Sequence, residues 1–290
     1  MSFRPHFEAL IPKAEGILRS LRRLLPNLHG PGEKKRLLYG GVIHSVLLYG
    51  APVWWRAIME DTKIGRAVRS LQRKVAIRVC CAYRTVSFHA AMMIAGIIPL
   101  AHLAPRLAEA YTAVRDAEEP VPPRAKAVLG ALARRRAIEA WKAEELALTE
   151  ITAATGVRAR AAIAERLAEW IGRPFSIGTT FHTTQLMTGH GCFSAYLYNM
   201  KKIPSPRCFH CGGNEDTAEH TLIDCPAWTD ARNELIQGDG WRAANASRDS
   251  RGLPDCSGGV GRPFGPSLGG SCEPRRTLRG AGNDRVIKDL

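Results

Sequence analysis

Residues 207–226 read Arg207-Cys208-Phe209-His210-Cys211-Gly212-Gly213-Asn214-Glu215-Asp216-Thr217-Ala218-Glu219-His220-Thr221-Leu222-Ile223-Asp224-Cys225-Pro226. The spacing is Cys-x2-Cys-x8-His-x4-Cys. Three thiolates and one imidazole are the ligand set of a closed, tetrahedral, structural zinc site; with every position filled by protein, a structural ion fits better than a catalytic one. Two intervening residues let one tight turn present Cys208 and Cys211 to a single ion. Gly212 and Gly213 follow directly and can take the positive φ that such a turn needs. Glu219-His220 and Leu222-Ile223 predict a short helix or strand that returns the second ligand pair. Scattered cysteines with a surface histidine is the competing reading. It is outweighed because four ligand-type residues fall within eighteen positions.

Outward from this segment, the chain has 290 residues, enough for one large or two small domains, and is 45% hydrophobic, so its composition can support a core. Its net charge of +14 points to a polyanion, nucleic acid before an anionic membrane, with an ordinary basic surface as the competing reading. The N-terminus, with Arg4, His6 and Glu8, has no apolar run of the secretory kind. No run of eighteen uncharged apolar residues occurs, so no membrane span is expected. Of eight cysteines, three lie in the zinc spacing and Cys80-Cys81 in an apolar helical pattern, which favours a reducing, intracellular setting.

Residues 1–80 carry fifteen Lys or Arg against five Asp or Glu. Phe7, Leu10, Ile11, Ala14, Ile17, Leu18 and Leu21 recur at helical spacing opposite Lys13, Arg19, Arg22 and Arg23. A second helix is expected from Glu33 to Trp55, weakened at Gly40-Gly41 and bent by Pro52. A third is expected from Lys63 to Ala82, with Ile64, Val68, Leu71, Val75 and Val79 facing a core. Arg66, Arg69, Arg73 and Lys74 flank that stripe, suited either to phosphate contacts or to a solvated helix face. Ser87 precedes an Ala/Met/Ile-rich helix ending near Gly96, and a further helix is expected over 102–115. Glu118 to Pro123 is the expected domain or subdomain break. Residues 124–148 and 157–171 predict helices, and 179–200 two short ones around Gly189-His190-Gly191. His182, His190 and Cys192 raise a second metal site, with core packing and a loop histidine as the competing reading. A closing helix is expected over 227–236. In the last fifty-three residues, twenty are Gly, Pro or Ser and apolar periodicity stops, so disorder is expected from residue 238 to 290. Cys256 and Cys272 fall there without ligand spacing and read as free thiols.

Catalytic signatures are missing. There is no phosphate-cradling Gly-x-x-x-x-Gly-Lys-Ser/Thr and no Gly-x-Ser-x-Gly. Asp61, Asp116, Asp216, Asp224 and Asp230 are isolated, whereas two-metal phosphoryl transfer needs clustered carboxylates. No catalytic residue is assigned.

Three blocks carry a family resemblance: Ser45 to Trp55; Leu71 to Lys74 with Tyr83 to Ser87 and Ala95 to Leu100; and Leu186 to Phe193 leading into Cys208 to Trp228. In order and spacing they resemble the carboxy-terminal part of the pol polyprotein of insect non-long-terminal-repeat retrotransposons. The likeness is strongest to type-1 elements that insert into ribosomal RNA genes. The likeness covers about residues 5–237 and implies a helical region at 1–119 similar to the thumb and connector after a reverse transcriptase palm, and a zinc finger with its closing helix at 201–237. With the α-helical linker region at 120–200 and the disordered tail at 238–290 expected from periodicity and composition, the fold class is mainly α; the tail matches nothing in the family. Cys208, Cys211, His220 and Cys225 match the family's finger ligands. The resemblance implies a parent polyprotein that is an RNA-directed DNA polymerase with an endonuclease; its catalytic aspartates, and any Mg2+ they hold, lie upstream of what is matched here. Zn2+ is the cofactor expected in this chain, and element RNA and target DNA in a ribosomal RNA gene are the expected partners, met in the nucleus during target-primed reverse transcription. No membrane and no small-molecule substrate are expected. Arg66, Arg69, Arg73, Lys74, Arg207 and Phe209 are the candidate nucleic-acid contacts. Phe209 is suited either to base stacking or to packing on the finger's own core. Two other readings are a standalone, zinc-stapled helical module that binds protein, and a degenerate gene product without function.

Overall fold

A computed structural model describes residues 2–28, 30–151, 155–174 and 178–237. The tail expected to be disordered, with Cys256 and Cys272, lies outside them. The described residues form helices and turns, with no strand among them. The chain divides after His190 into two compact units. No single helix among the described residues is long and apolar enough to cross a membrane.

The first unit contains α1 (Arg4–Arg22), α2 (Glu33–Leu48), α3 (Ala51–Glu60), α4 (Thr62–Val79), α5 (Phe88–Ala95), α6 (Leu100–Arg115), α7 (Pro123–Thr149), α8 (Val157–Ile163), α9 (Leu167–Ile171) and α10 (Phe181–Thr188). The apolar stripe of α4 is buried as its period dictates, at Ile64, Val68, Leu71, Val75 and Val79. Asp61 caps this helix, its side chain accepting from the Lys63 and Ile64 backbone N–H groups at 2.9 and 3.3 Å. Such a cap contributes about 1 kcal/mol. The α5 helix is the centre of the core, with Ala90 to Ala95 all buried. Ser87 caps its start, and Gly96, at φ +64, takes the left-handed conformation that ends it. Trp170 donates its indole N–H to the Met93 and Ile94 carbonyls at the end of α5, at 2.8 and 3.2 Å. Gly40 lets α2 approach α4: a Cβ there would meet Val79 at 3.1 Å.

The single helix expected over 33–55 is two helices. The chain breaks at Tyr49-Gly50, and the axes of α2 and α3 differ by 89°. Gly50, at φ +70, makes the corner, and Trp54 donates to the Tyr49 carbonyl at 2.8 Å. Pro52 lies in the first turn of α3, where its missing N–H costs nothing. It starts a helix here and does not bend one. The stretch 157–171 is likewise interrupted, by a 3-10 turn at Ala164–Arg166.

Several polar groups buried in this unit are paired with one another or with backbone, although Asn27 Oδ1 and Thr179 Oγ1 are buried without a hydrogen-bond partner among the described residues. Glu145, with no exposed surface, accepts from His89 Nδ1 at 2.7 Å, Trp141 Nε1 at 3.1 Å and Arg160 Nε at 3.1 Å. Gln72 accepts from the Leu100 backbone N–H at 3.2 Å and stands 3.0 Å from His44 Nε2. Arg36 donates to the carbonyls of Pro26, Pro31 and Arg78. The Glu33 carboxylate takes the Arg173 guanidinium and the Thr179 N–H.

The second unit contains α11 (Ser194–Asn199), a π-type turn at His220–Asp224, a 3-10 turn at Pro226–Trp228 and α12 (Thr229–Gln237). Its described core is built on Cys208, Cys225 and Trp228, with Cys211 and Ala231 packed against them.

Candidate metal centre

The loop carrying the first ligand pair is closed by two backbone hydrogen bonds. Gly212 N–H reaches the Cys208 carbonyl at 2.9 Å, and Cys208 N–H the Gly213 carbonyl at 3.0 Å. Gly212 takes a positive φ of 72°, as the spacing requires, whereas Gly213 does not. Gly213 serves by its size: its N–H donates to Cys211 Sγ at 3.3 Å, and a Cβ would meet that sulfur at 3.2 Å. The second pair is returned by a helical turn, the helix alternative of the sequence reading. His220 opens it with its N–H on Thr217 Oγ1 at 3.0 Å, and Cys225 closes it with its N–H on the His220 carbonyl at 2.7 Å.

These two turns bring Cys208, Cys211, His220 and Cys225 together, all four donor atoms lying within 4.8 Å of one another. Among the described residues they are the one group of His, Cys, Asp and Glu side chains placed to share an ion. Sulfurs around a tetrahedral zinc, with bonds of about 2.3 Å, stand about 3.8 Å apart, and a sulfur and a nitrogen about 3.6 Å. Cys208 and Cys225 sulfurs are 3.9 Å apart, and Cys211 Sγ is 3.3 Å from His220 Nε2. The donor set therefore fits a four-coordinate ion with all positions supplied by protein.

Charge on the ligands follows their surroundings. Burial pushes the Cys208 thiol up to about 12 and raises that of Cys225 as well. The Gly213 N–H holds the Cys211 thiol down at about 7. An ion entering here displaces protons chiefly from the two buried sulfurs.

Asp216, isolated in sequence, is the anchor of the segment. It is 6% exposed and accepts from the Ser194 N–H and the Thr221 hydroxyl, both at 2.9 Å. Its backbone N–H reaches Pro206 at 2.8 Å, and its carbonyl takes the Ala195 N–H at 3.0 Å. Asp216 thus ties the start of α11, the strap before Cys208 and the turn holding His220. The one signal available was its place between the ligand pairs, three residues before a Glu-His. Trp228 is the second residue that spacing did not reveal. It packs on the cysteine core, and His210 meets its ring edge-on at 4.9 Å between centroids.

Phe209 projects from the first ligand turn, 72% exposed, so of the two alternatives it is the one facing solvent and not the finger's core. Arg207 is exposed beside it. The four candidate contacts on α4 are more engaged within the fold. Arg66 donates to the Thr62 carbonyl at 3.1 Å. Arg69 reaches His89 at 3.1 Å and lies over the Phe88 ring. Arg73 holds the carbonyls of Val86 and Arg84. Lys74 pairs with Glu15 at 2.6 Å. Those contacts join α4 to α1 and to the chain entering α5. His190 stands 3.0 Å from the Thr85 hydroxyl, and burial lowers its pKa.

Comparison with known proteins gives three insect relatives. The chain is 27% identical over 246 residues to the retrovirus-related Pol polyprotein from type-1 retrotransposable element R1 4 of Nasonia vitripennis, covering 80% of this chain and 58% of that protein. It is 27% identical over 272 residues to the corresponding R1 Pol polyprotein of Bradysia coprophila, covering 87% of this chain and 25% of the relative. It is 26% identical over 243 residues to a 115 kDa protein in element R1DM of Drosophila melanogaster, covering 80% and 23%. The match thus spans from about a quarter to somewhat over half of each relative's length. No protein-family profile matches the chain. No solved structure matches it.

Proposed function

From the premise that the chain's homologues are Pol polyproteins of insect type-1 R1 retrotransposable elements, we propose that it is the nucleic-acid-handling, carboxy-terminal part of a retrotransposon RNA-directed DNA polymerase/endonuclease polyprotein, assisting target-primed reverse transcription. In this reading residues 1–119 act as the thumb and connector, 120–200 as a helical linker and 201–237 as the finger. Zn2+ is the ion held by Cys208, Cys211, His220 and Cys225. Element RNA and target DNA in a ribosomal RNA gene are the partners, and the nucleus is the site of action. The observation that carries the reading is homology over 80% of the chain. The net charge of +14 supports a sequence-independent phosphate affinity. Exposed Phe209 beside Arg207 supports stacking and phosphate contact at the finger. Among the described residues no group of carboxylates is placed to share an ion, so the reading assigns the chain binding and positioning; polymerase chemistry and its Mg2+ are left to other parts of the polyprotein.

A second reading, a helical module that binds protein, is favoured by exposed apolar side chains on α2, at its corner with α3 and on α3: Leu38, Tyr49 and Val53. Titrating RNA and DNA binding of the full chain against salt separates the two. The first reading expects affinity to fall steeply and linearly in log–log form. No measurable binding of either nucleic acid at low salt would refute it and leave the second.

A further inference from the structure

Between Glu15 and Glu33 the chain has no carboxylate and three arginines, Arg19, Arg22 and Arg23; between Asp61 and Glu109 it again has none, and eight Lys or Arg. The fold joins these two acid-free stretches. Arg36 holds the Pro26 and Pro31 carbonyls of the α1–α2 connection and, at 2.9 Å, the Arg78 carbonyl in the last turn of α4. Asn27 donates to the Ala82 carbonyl at 3.4 Å. Cys81, left-handed at φ +57, turns the chain after α4, and the Ala82 N–H closes back on Ile77 at 3.0 Å. The end of α1, with Arg22, is thereby fixed beside the turn that carries Arg78 and Arg84.

The charges gathered there are alike, and among the described residues no carboxylate forms an ion pair with them. Burial, and then the charges of Arg22, Arg36 and Arg84, lower the pKa of Arg78. The nearest acids in sequence are engaged elsewhere, Glu15 with Lys74 and Glu33 with Arg173. Arg36 is spent on neutral carbonyls, which leaves its charge in place. Two helix C-termini contribute about half a negative charge each. Against four guanidiniums, that leaves roughly three positive charges unbalanced. Arg22 and Arg84 are exposed and Arg78 half-buried, so an anion can reach all three. A fold gains nothing by holding like charges together, whereas guanidiniums offer paired N–H groups that match phosphate oxygens.

We propose that Arg22, Arg78 and Arg84 form a phosphate-binding patch, at the junction of the α1 C-terminus and the turn after α4, that takes the sugar-phosphate backbone of a nucleic acid. The proposal rests on the nucleic-acid reading above and moves its phosphate contacts in the first unit from Arg69, Arg73 and Lys74, which are tied within the fold, to three side chains that make no such tie among the described residues. Contacts of this kind are sequence-independent and act through counterion release.

The test is fluorescence anisotropy of a labelled oligouridine with the full chain across a salt series. A variant carrying Arg22→Gln, Arg78→Gln and Arg84→Gln is compared with a control carrying Arg124→Gln, Lys126→Gln and Arg136→Gln, exposed cations on α7 that lose the same net charge. With single strands contributing about 0.7 to the salt slope per phosphate, the first variant should flatten the slope by about two, and the control should not change it. Thermal unfolding should be unchanged or shifted upward in the first variant, since like charges are removed; the Arg22→Gln, Arg84→Gln double variant, on exposed side chains, gives the same readout with a slope change of about 1.4. A wild-type chain that binds, with equal slopes in both variants, overturns the patch and leaves the nucleic-acid reading standing. A wild-type chain that binds no oligouridine at low salt overturns both.

Discussion

Asp216→Ala removes a carboxylate from the middle of the candidate metal centre without touching any of its four Cys and His side chains. Two hydrogen bonds to a charged acceptor are lost, from the Ser194 N–H and the Thr221 hydroxyl, each 2.9 Å long. Each such bond is worth about 1.5–3 kcal/mol, and a buried donor left unpaired forfeits its hydration as well. The Thr221 hydroxyl can rotate toward another acceptor. The Ser194 N–H cannot, and Ser194 has no exposed surface through which water could replace the carboxylate. A net cost of about 3 kcal/mol follows, somewhat below the sum of two full losses. The lost contacts hold the turn that carries His220 and the start of α11, so the cost falls on the arrangement that brings the ligands together. Because assembling the ligands and binding the ion are coupled, about 3 kcal/mol appears as roughly 100-fold weaker metal affinity. Competition with a chromophoric chelator measures it directly. Asp216→Asn, which keeps the shape and one acceptor, should lose about tenfold or less. If Asp216→Ala changed the affinity by under about threefold, Asp216 would not be the finger's anchor and the coupling argued here would be wrong.

Other outcomes follow from the same contacts. Glu145→Gln leaves the buried Arg160 guanidinium without its counter-charge and should lower the stability of the first unit by about 3 kcal/mol in denaturant unfolding; a loss under about 1 kcal/mol would refute the role given to this pair. His44 titrates at about 4 in the folded chain because burial, and then Arg134, oppose its charge. The ring accepts from Gln72, whose amide is oriented by the Leu100 N–H on its oxygen, so the neutral form is the one the fold binds. The unfolded chain therefore takes up this proton first, and stability should fall as pH drops from about 6.5 to about 4, by about 1–3 kcal/mol given that the ring is partly accessible. A His44→Gln variant whose stability falls equally over that window would count against this assignment. Phe209→Ala, at an exposed position, should change stability by less than about 0.5 kcal/mol while weakening single-strand RNA binding by about 1–3 kcal/mol. Unaltered binding would remove the stacking role.

What could be read in advance was local in origin. The α4 stripe, the Ser87 cap, the Gly96 stop and the four ligands are each fixed by a few residues at set spacings, and each stands where the spacing put it. The corner at Tyr49-Gly50 was hidden because apolar residues continue through it; α2 packs on α1 and α4, whereas α3 packs on α4 and α6. Arg36, Gln72, Glu145 and Arg160 are polar residues that composition assigns to the surface. They are buried because their partners lie elsewhere in the chain, Glu145 with His89 and Arg160, Arg36 with Arg78. The same holds for Arg69, Arg73 and Lys74, whose helical spacing suited a phosphate-facing surface but whose side chains meet His89, the Val86 carbonyl and Glu15. Asp216 was passed over because an anchor is recognised by its donors, and Ser194 stands twenty-two positions away.

The central claim is that Cys208, Cys211, His220 and Cys225 hold one structural ion on which the finger depends. Elemental analysis of the purified full chain tests it most directly, beside Cys208→Ser. About one zinc per wild-type chain, lost in the variant together with protection of the 206–237 backbone amides from exchange, is the predicted result. A wild-type chain without metal, or a variant retaining the full complement, would contradict it.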